Sequence, residues 1–147
     1  MDKHSYNVNL IWKKDRLGAV SSPELNDNIE VATPPEFDKG IAGVWSPEHF
    51  FTAAVNSCFM TTFLAIAEYS KFNFIDLKVE SEGILEKVDG KFMMSKVVLK
   101  PTLIVAADTR EDRAIRIMEK AEKACLISNS IKSEIEFLPK VEVKEAV

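Results

Sequence analysis

SPEHFFTAAVNSCFMTTFLAIA, residues 46–67, decides the fold. From Phe50 to Ala67 it carries no charged residue, and its start is marked by three successive signals. Ser46 is the expected N-cap, accepting from backbone amides that have no partner inside the helix; Pro47 has the fixed φ of a first helical position; Glu48 suits the positive helix end. Eighteen uncharged residues reach the lower limit for crossing a bilayer. That reading is set aside because Asn56, Ser57, Thr61 and Thr62 interrupt the run, which is solitary and flanked by strand patterns. A helix apolar nearly all round is otherwise buried all round. In a small domain one sheet covers one face, so a second copy of the chain is expected on the other.

Outward from this helix the chain reads mainly as strands. Tyr6, Val8, Leu10 and Trp12 alternate with Asn7 and Asn9, the period of a half-buried strand. Short strands are expected at Gly18 to Ser22 and Asn28 to Ala32. Thr33 to Trp45 (TPPEFDKGIAGVW), with adjacent prolines and two glycines, is a loop too apolar to be a solvated linker. Leu77, Val79 and Leu85 set a strand from Asp76 to Val88, Asp89-Gly90 signals a hairpin, and the return strand runs from about Met93 to Val105. Thr109, with Asp112 three residues on, is the expected cap of a second helix whose stripe is Ala114, Ile117, Met118, Ala121 and Cys125. A last strand alternates Ile135, Phe137, Val141 and Val143 with charged residues. This order gives a single α+β domain over residues 1–147, antiparallel sheets packing around a long buried helix.

With 147 residues the chain can bury a core without disulfide or metal support. The 19 basic and 23 acidic residues leave a net charge of −4, which gives no electrostatic case for nucleic acid. MDKHSYNVNLIW lacks the basic-then-apolar pattern of a secretory signal, so a cytoplasmic protein is expected, with no membrane partner. In that compartment Cys58 and Cys125, 67 positions apart, are not expected to form a permanent bridge. His4 and His49 with two distant cysteines give no metal-ligand spacing, and no metal or organic cofactor is implied. His49 reads as an ordinary first-turn residue. Cys58 is either inert core, as free cysteines commonly are, or an activated thiol.

Pro34-Pro35-Glu36-Phe37, Trp45-Ser46-Pro47-Glu48-His49-Phe50-Phe51 and Ala53-Ala54-Val55-Asn56-Ser57-Cys58-Phe59-Met60, with Cys125-Leu126-Ile127-Ser128-Asn129, resemble the OsmC/Ohr family, osmotically inducible protein C and organic hydroperoxide resistance protein. The resemblance spans the whole chain and is nearest to the broad OsmC-like branch. It implies an intertwined homodimer and a thiol peroxidase acting on small organic hydroperoxides, reduced by an external dithiol of lipoyl type. It also implies that Cys58 is the peroxidatic cysteine, Cys125 the resolving cysteine, Glu48 the helix-start glutamate and Arg16 the active-site arginine. The family often has proline directly after its second cysteine, where this chain has Leu126.

The chemistry asks for similar groups. Peroxide reduction needs a thiolate, whereas an apolar setting keeps a thiol protonated unless a permanent cation stands beside the sulfur. Arg110, Arg113 and Arg116 lie on the second helix as surface residues, which leaves Arg16, with Glu48 as its carboxylate partner. The alternative is a non-enzymatic dimer that binds a small apolar or sulfur-containing ligand.

Overall fold

A computed structural model describes residues 3–145, which form two compact units that divide between Phe50 and Phe51. In the first, β1 (Asn9–Lys14), β2 (Leu17–Ser21) and β3 (Ile29–Ala32) form an antiparallel sheet in sequence order. Asp15 and Arg16 make the tight turn between β1 and β2, with Asp15 at φ 48° and the Trp12 indole N–H donating to its carbonyl at 3.0 Å. The alternation of Leu10 and Trp12 correctly marks a strand, but half-burial is not what the fold provides: these side chains are 65% and 72% exposed. An edge strand in a three-stranded sheet has a pleat without necessarily having a covering layer. The expected loop, 33–45, closes where the Ala32 N–H donates to the Trp45 carbonyl at 2.8 Å.

Helix α1 (Pro47–Tyr69) begins where Ser46 predicts. Ser46 Oγ accepts the His49 backbone N–H at 3.2 Å, while His49 Nδ1 reaches back to the Ser46 N–H at 3.3 Å. His49 is therefore no ordinary first-turn residue. It takes the reciprocal place that Glu or Gln holds in a capping box, and Trp45 stacked on Phe50 at 5.5 Å supplies the hydrophobic staple.

In the second unit β4 (Asp76–Val88) and β5 (Lys91–Ala106) form a long hairpin. Its two turn residues, Asp89 at φ 51° and Gly90 at φ 79°, are both left-handed, as a twist-matched two-residue turn requires. The last strand is two strands, β6 (Glu134–Phe137) and β7 (Lys140–Lys144), both parallel to β5. The second sheet is thus mixed rather than purely antiparallel. Both segments keep one register on β5, Leu99 with Phe137 and Thr102 with Lys140, so the break at Leu138-Pro139 falls beside Lys100-Pro101. Two prolines brought level on adjacent strands remove ladder donors from both sides, which interrupts pairing there.

Helix α2 (Glu111–Ala124) starts one residue later than the Thr109 cap predicts: Arg110 is its N-cap and offers no side-chain cap. Thr109 is instead held in the preceding turn by its N–H to the Ala106 carbonyl at 3.0 Å, and the Arg110 guanidinium pairs with Asp112 at 2.9 Å. The predicted stripe is the buried one, Ala114, Ile117, Met118 and Ala121, and Cys125 follows as the buried C-cap. Ala114, Ile117, Met118 and Ala121 join Val55, Phe59, Phe63 and Ala67 of α1 and Val97, Leu99, Leu103 and Val105 of β5 in one core. The α1 residues form a single stripe at four-residue spacing. Met60 and Leu64, on other faces, are each 41% exposed, so within one chain α1 is covered on one side only.

Gly83 shows how closely α1 lies on the sheet. A Cβ at this β4 position would stand 2.1 Å from Thr52 Oγ1 and 2.8 Å from the Met94 terminal methyl. Only the absence of a side chain lets the helix approach this strand.

Candidate active site

Cys58 is carried near the middle of α1 and Cys125 at the end of α2, and both are free thiols. The fold brings them near enough for each to shift the other's proton affinity. Cys58 is half-buried and Cys125 fully buried. One helical turn after Cys58, Thr62 presents its hydroxyl at 3.9 Å from the Cys58 sulfur.

The chain after Cys125 turns sharply into a short 3-10 helix at Ser128–Ser130. The backbone amides of Ile127 and, less strongly, Leu126 are among the groups that make the Cys58 proton easier to remove. The turn is fixed by its own hydrogen bonds. Asn129 donates from its backbone N–H to the Cys125 carbonyl at 3.1 Å and from its side-chain amide to the Lys123 carbonyl at 3.0 Å. The Ser130 hydroxyl donates to the Leu126 carbonyl at 2.7 Å, and the Ser130 N–H to the Ile127 carbonyl at 2.9 Å. Carbonyls at the end of α2 and in the turn are thereby satisfied.

The two thiols are driven in opposite directions. Burial pushes Cys58 up, but the Ile127 N–H, the Cys125 thiol, the Thr62 hydroxyl and the Leu126 N–H together outweigh it and leave its proton easier to remove than usual. Burial pushes Cys125 up as well, and there the hydroxyl and N–H of Ser128 do not offset it, with the Cys58 sulfur adding to the rise. Of the two sulfurs, Cys58 is the one that gives up its proton more readily.

The other two predicted site residues belong to the first unit. Arg16 is exposed in the β1–β2 turn, where it lines an apolar cleft of about 260 Å³ with Trp12, Leu17 and Ala32. Glu48 is half-buried in the first turn of α1. It precedes Cys58 by ten residues of one helix, which is roughly 15 Å along the axis at about 1.5 Å per residue. Among the described residues, no group of three or more His, Cys, Asp or Glu is placed to hold a metal ion. Four groups at the site were not anticipated from sequence: Thr62, Ser128 and the amides of Leu126 and Ile127. Thr62 was legible, standing four residues after Cys58 on a helix. The backbone donors leave no trace in residue type.

Residues 40–139 match the family model described as OsmC-like protein. The chain belongs to the OsmC-like protein family. Among its relatives, the uncharacterized protein YmaD of Bacillus subtilis is 29% identical over 98% of this chain and 97% of its own length. The fold is that of the OsmC-like protein of unknown function VCA0330 from Vibrio cholerae, with TM-score 0.84 and 22% identity over 93% of this chain and 99% of that one. It is also that of an organic hydroperoxide resistance protein OsmC from Legionella pneumophila, with TM-score 0.74 and 23% identity over 95% and 99% of the two chains.

Proposed function

We propose that this OsmC-like protein is a thiol peroxidase that reduces organic hydroperoxides. The observation that carries the reading is the pairing of two free thiols near enough to influence one another, Cys58 with its proton easier to remove than usual and Cys125 with its proton held more tightly. The Cys58 thiolate attacks the terminal peroxide oxygen and breaks the O–O bond. The alkoxide leaves and takes a proton as the alcohol, and Cys58 becomes a sulfenic acid. Cys125 then attacks the Cys58 sulfur; its proton and the sulfenic hydroxide leave together as water, and a disulfide forms. An external dithiol, of lipoyl type in this reading, reduces the disulfide and is itself oxidised. The description of the Legionella relative as an organic hydroperoxide resistance protein agrees with this choice of oxidant.

We further propose that the working form is a cytoplasmic homodimer. The uncovered faces of α1 and β1 suit a second copy of the chain. Antiparallel packing of two α1 helices across a two-fold axis would bring Glu48 of one copy level with Cys58 of the other, and Arg16 would complete the site as a cation held by that carboxylate. The test is a steady-state assay with cumene hydroperoxide against hydrogen peroxide, using a lipoyl dithiol and a monothiol as reductants. Turnover that prefers the organic peroxide and the dithiol is expected. Full retention of both thiols under either peroxide would leave a ligand-binding protein instead.

A further inference from the structure

We infer that the Thr62 hydroxyl is a further working group of this site, a positioning donor that holds the Cys58 sulfur and hydrogen-bonds it as a thiolate. It rests on the peroxidase reading for the use made of that thiolate.

A hydroxyl in the middle of a helix ordinarily turns back to a carbonyl three or four residues earlier or points to solvent. Two neighbours on α1 turn back: Ser57 Oγ donates to the Ala53 carbonyl at 2.6 Å, and Thr61 Oγ1 to the Cys58 carbonyl at 3.1 Å. Thr62 departs from the pattern. Its hydroxyl is directed at the Cys58 sulfur, 3.9 Å away, although the carbonyl of that same residue lies four positions back, where a helical threonine can bond. Spacing and packing fix the pair. Residues four apart share one helix face, and Cys58 and Thr62 each directly precede a fully buried anchor, Phe59 and Phe63, whose rings stack at 6.2 Å. Both members of the pair are half-buried, so water competes less for the contact.

A hydroxyl carries one proton and two lone pairs. By rotating it accepts from the Cys58 thiol or donates to the thiolate, and the bond to the charged sulfur is the stronger of the two. The contact therefore favours loss of the proton, and Thr62 is among the groups that ease it.

Three substitutions separate the oxygen from the rest of the residue. Thr62→Val keeps the shape and removes the donor, Thr62→Ser keeps the donor and removes the methyl, and Thr61→Val removes the adjacent hydroxyl, which is bonded to backbone. Alkylation of Cys58 by iodoacetamide, mapped by mass spectrometry on the reduced full-length protein across pH, reads the thiolate. Thr62→Val should move the inflection upward by about half a unit and lower the rate near neutral pH about threefold, the size of a modest hydrogen bond. Thr62→Ser and Thr61→Val should follow the parent. A Thr62→Val profile that coincides with the parent's, a Thr62→Ser profile that follows Thr62→Val, or an equal shift from Thr61→Val overturns the inference.

Should Thr62→Val fail to fold, Thr62→Ala against Thr62→Ser decides by the same readout, since the two differ by one oxygen; coincident profiles overturn the inference. Cumene hydroperoxide turnover is scored separately. A Thr62→Val shift in a protein without turnover supports the donor and removes the peroxidase reading, whereas turnover with coincident profiles does the reverse.

Discussion

Gly83→Ala tests whether the close approach of α1 to β4 sets the position of Cys58. The added Cβ would lie 2.1 Å from Thr52 Oγ1 and 2.8 Å from Met94 Cε. The methionine methyl is the end of a flexible chain and swings aside, but Thr52 is branched at Cβ and has few rotamers on a helix. The clash with Thr52 therefore falls on the helix itself. Overpacking of this kind costs about 1–3 kcal/mol, and replacing a mid-strand glycine returns roughly 0.5–1 kcal/mol, so a net loss of about 1–2 kcal/mol is expected. Thr52→Ala removes the offending oxygen and leaves Thr52 Cβ at 3.3 Å as the nearest atom of that residue. In a double-mutant cycle by urea unfolding the pair should then recover about 1 kcal/mol, with unchanged m-values. Thr52 is six residues before Cys58 on one helix, so Gly83→Ala should also slow Cys58 alkylation and Thr52→Ala should restore it. Strict additivity of the two substitutions, in stability and in alkylation, would refute the reasoning.

The remaining predictions concern the thiols and their proposed partners. Cys58→Ser should abolish peroxide turnover, whereas Cys125→Ser should permit one oxidation and leave Cys58 as a sulfenic acid trappable by dimedone; if it blocks that first oxidation, the roles are reversed. Burial holds the Cys125 thiol above its ordinary value of 9.0. The unfolded chain then loses this proton first, and stability falls as pH rises past that value; unfolding measured against pH should show Cys125→Ala flattening this decline. Cys58 has the opposite sign: its proton leaves the folded state first, so its contribution is complete above 9.0 and is lost as pH falls through its lower folded value. Glu48→Ala and Cys58→Ser, each inactive alone, should regain activity when mixed under conditions of subunit exchange; heterodimers without activity would rule out the shared site.

Much of this fold was legible because its signals are local. Ser46-Pro47 marked the start of α1 and Asp89-Gly90 the hairpin, since each residue type there answers to one backbone requirement. The α2 stripe followed from helical spacing, and it delivered Cys125 to the buried side. What the pattern could not supply was pairing between distant segments. The alternation from Ile135 to Val143 is continuous in character, and its division into β6 and β7 depends on Pro101 lying alongside the Leu138-Pro139 break on β5. Nor does alternation in β1 say what covers Leu10 and Trp12. At the site, Arg16 was expected to favour the thiolate; within the second unit the groups that ease removal of the Cys58 proton include the Ile127 and Leu126 amides. Backbone donors are available at every residue except proline, so their use depends on where a turn points.

The central claim is that Cys58 and Cys125 act as one redox pair, and intact-mass analysis with peptide mapping tests it most directly. Reduced protein, treated with one equivalent of cumene hydroperoxide and quenched with an alkylating agent, should lose both free thiols, show a mass lower by the two thiol hydrogens, and yield a Cys58–Cys125 cross-linked peptide. Recovery of both cysteines as alkylated thiols, with the hydroperoxide unconsumed, would contradict it.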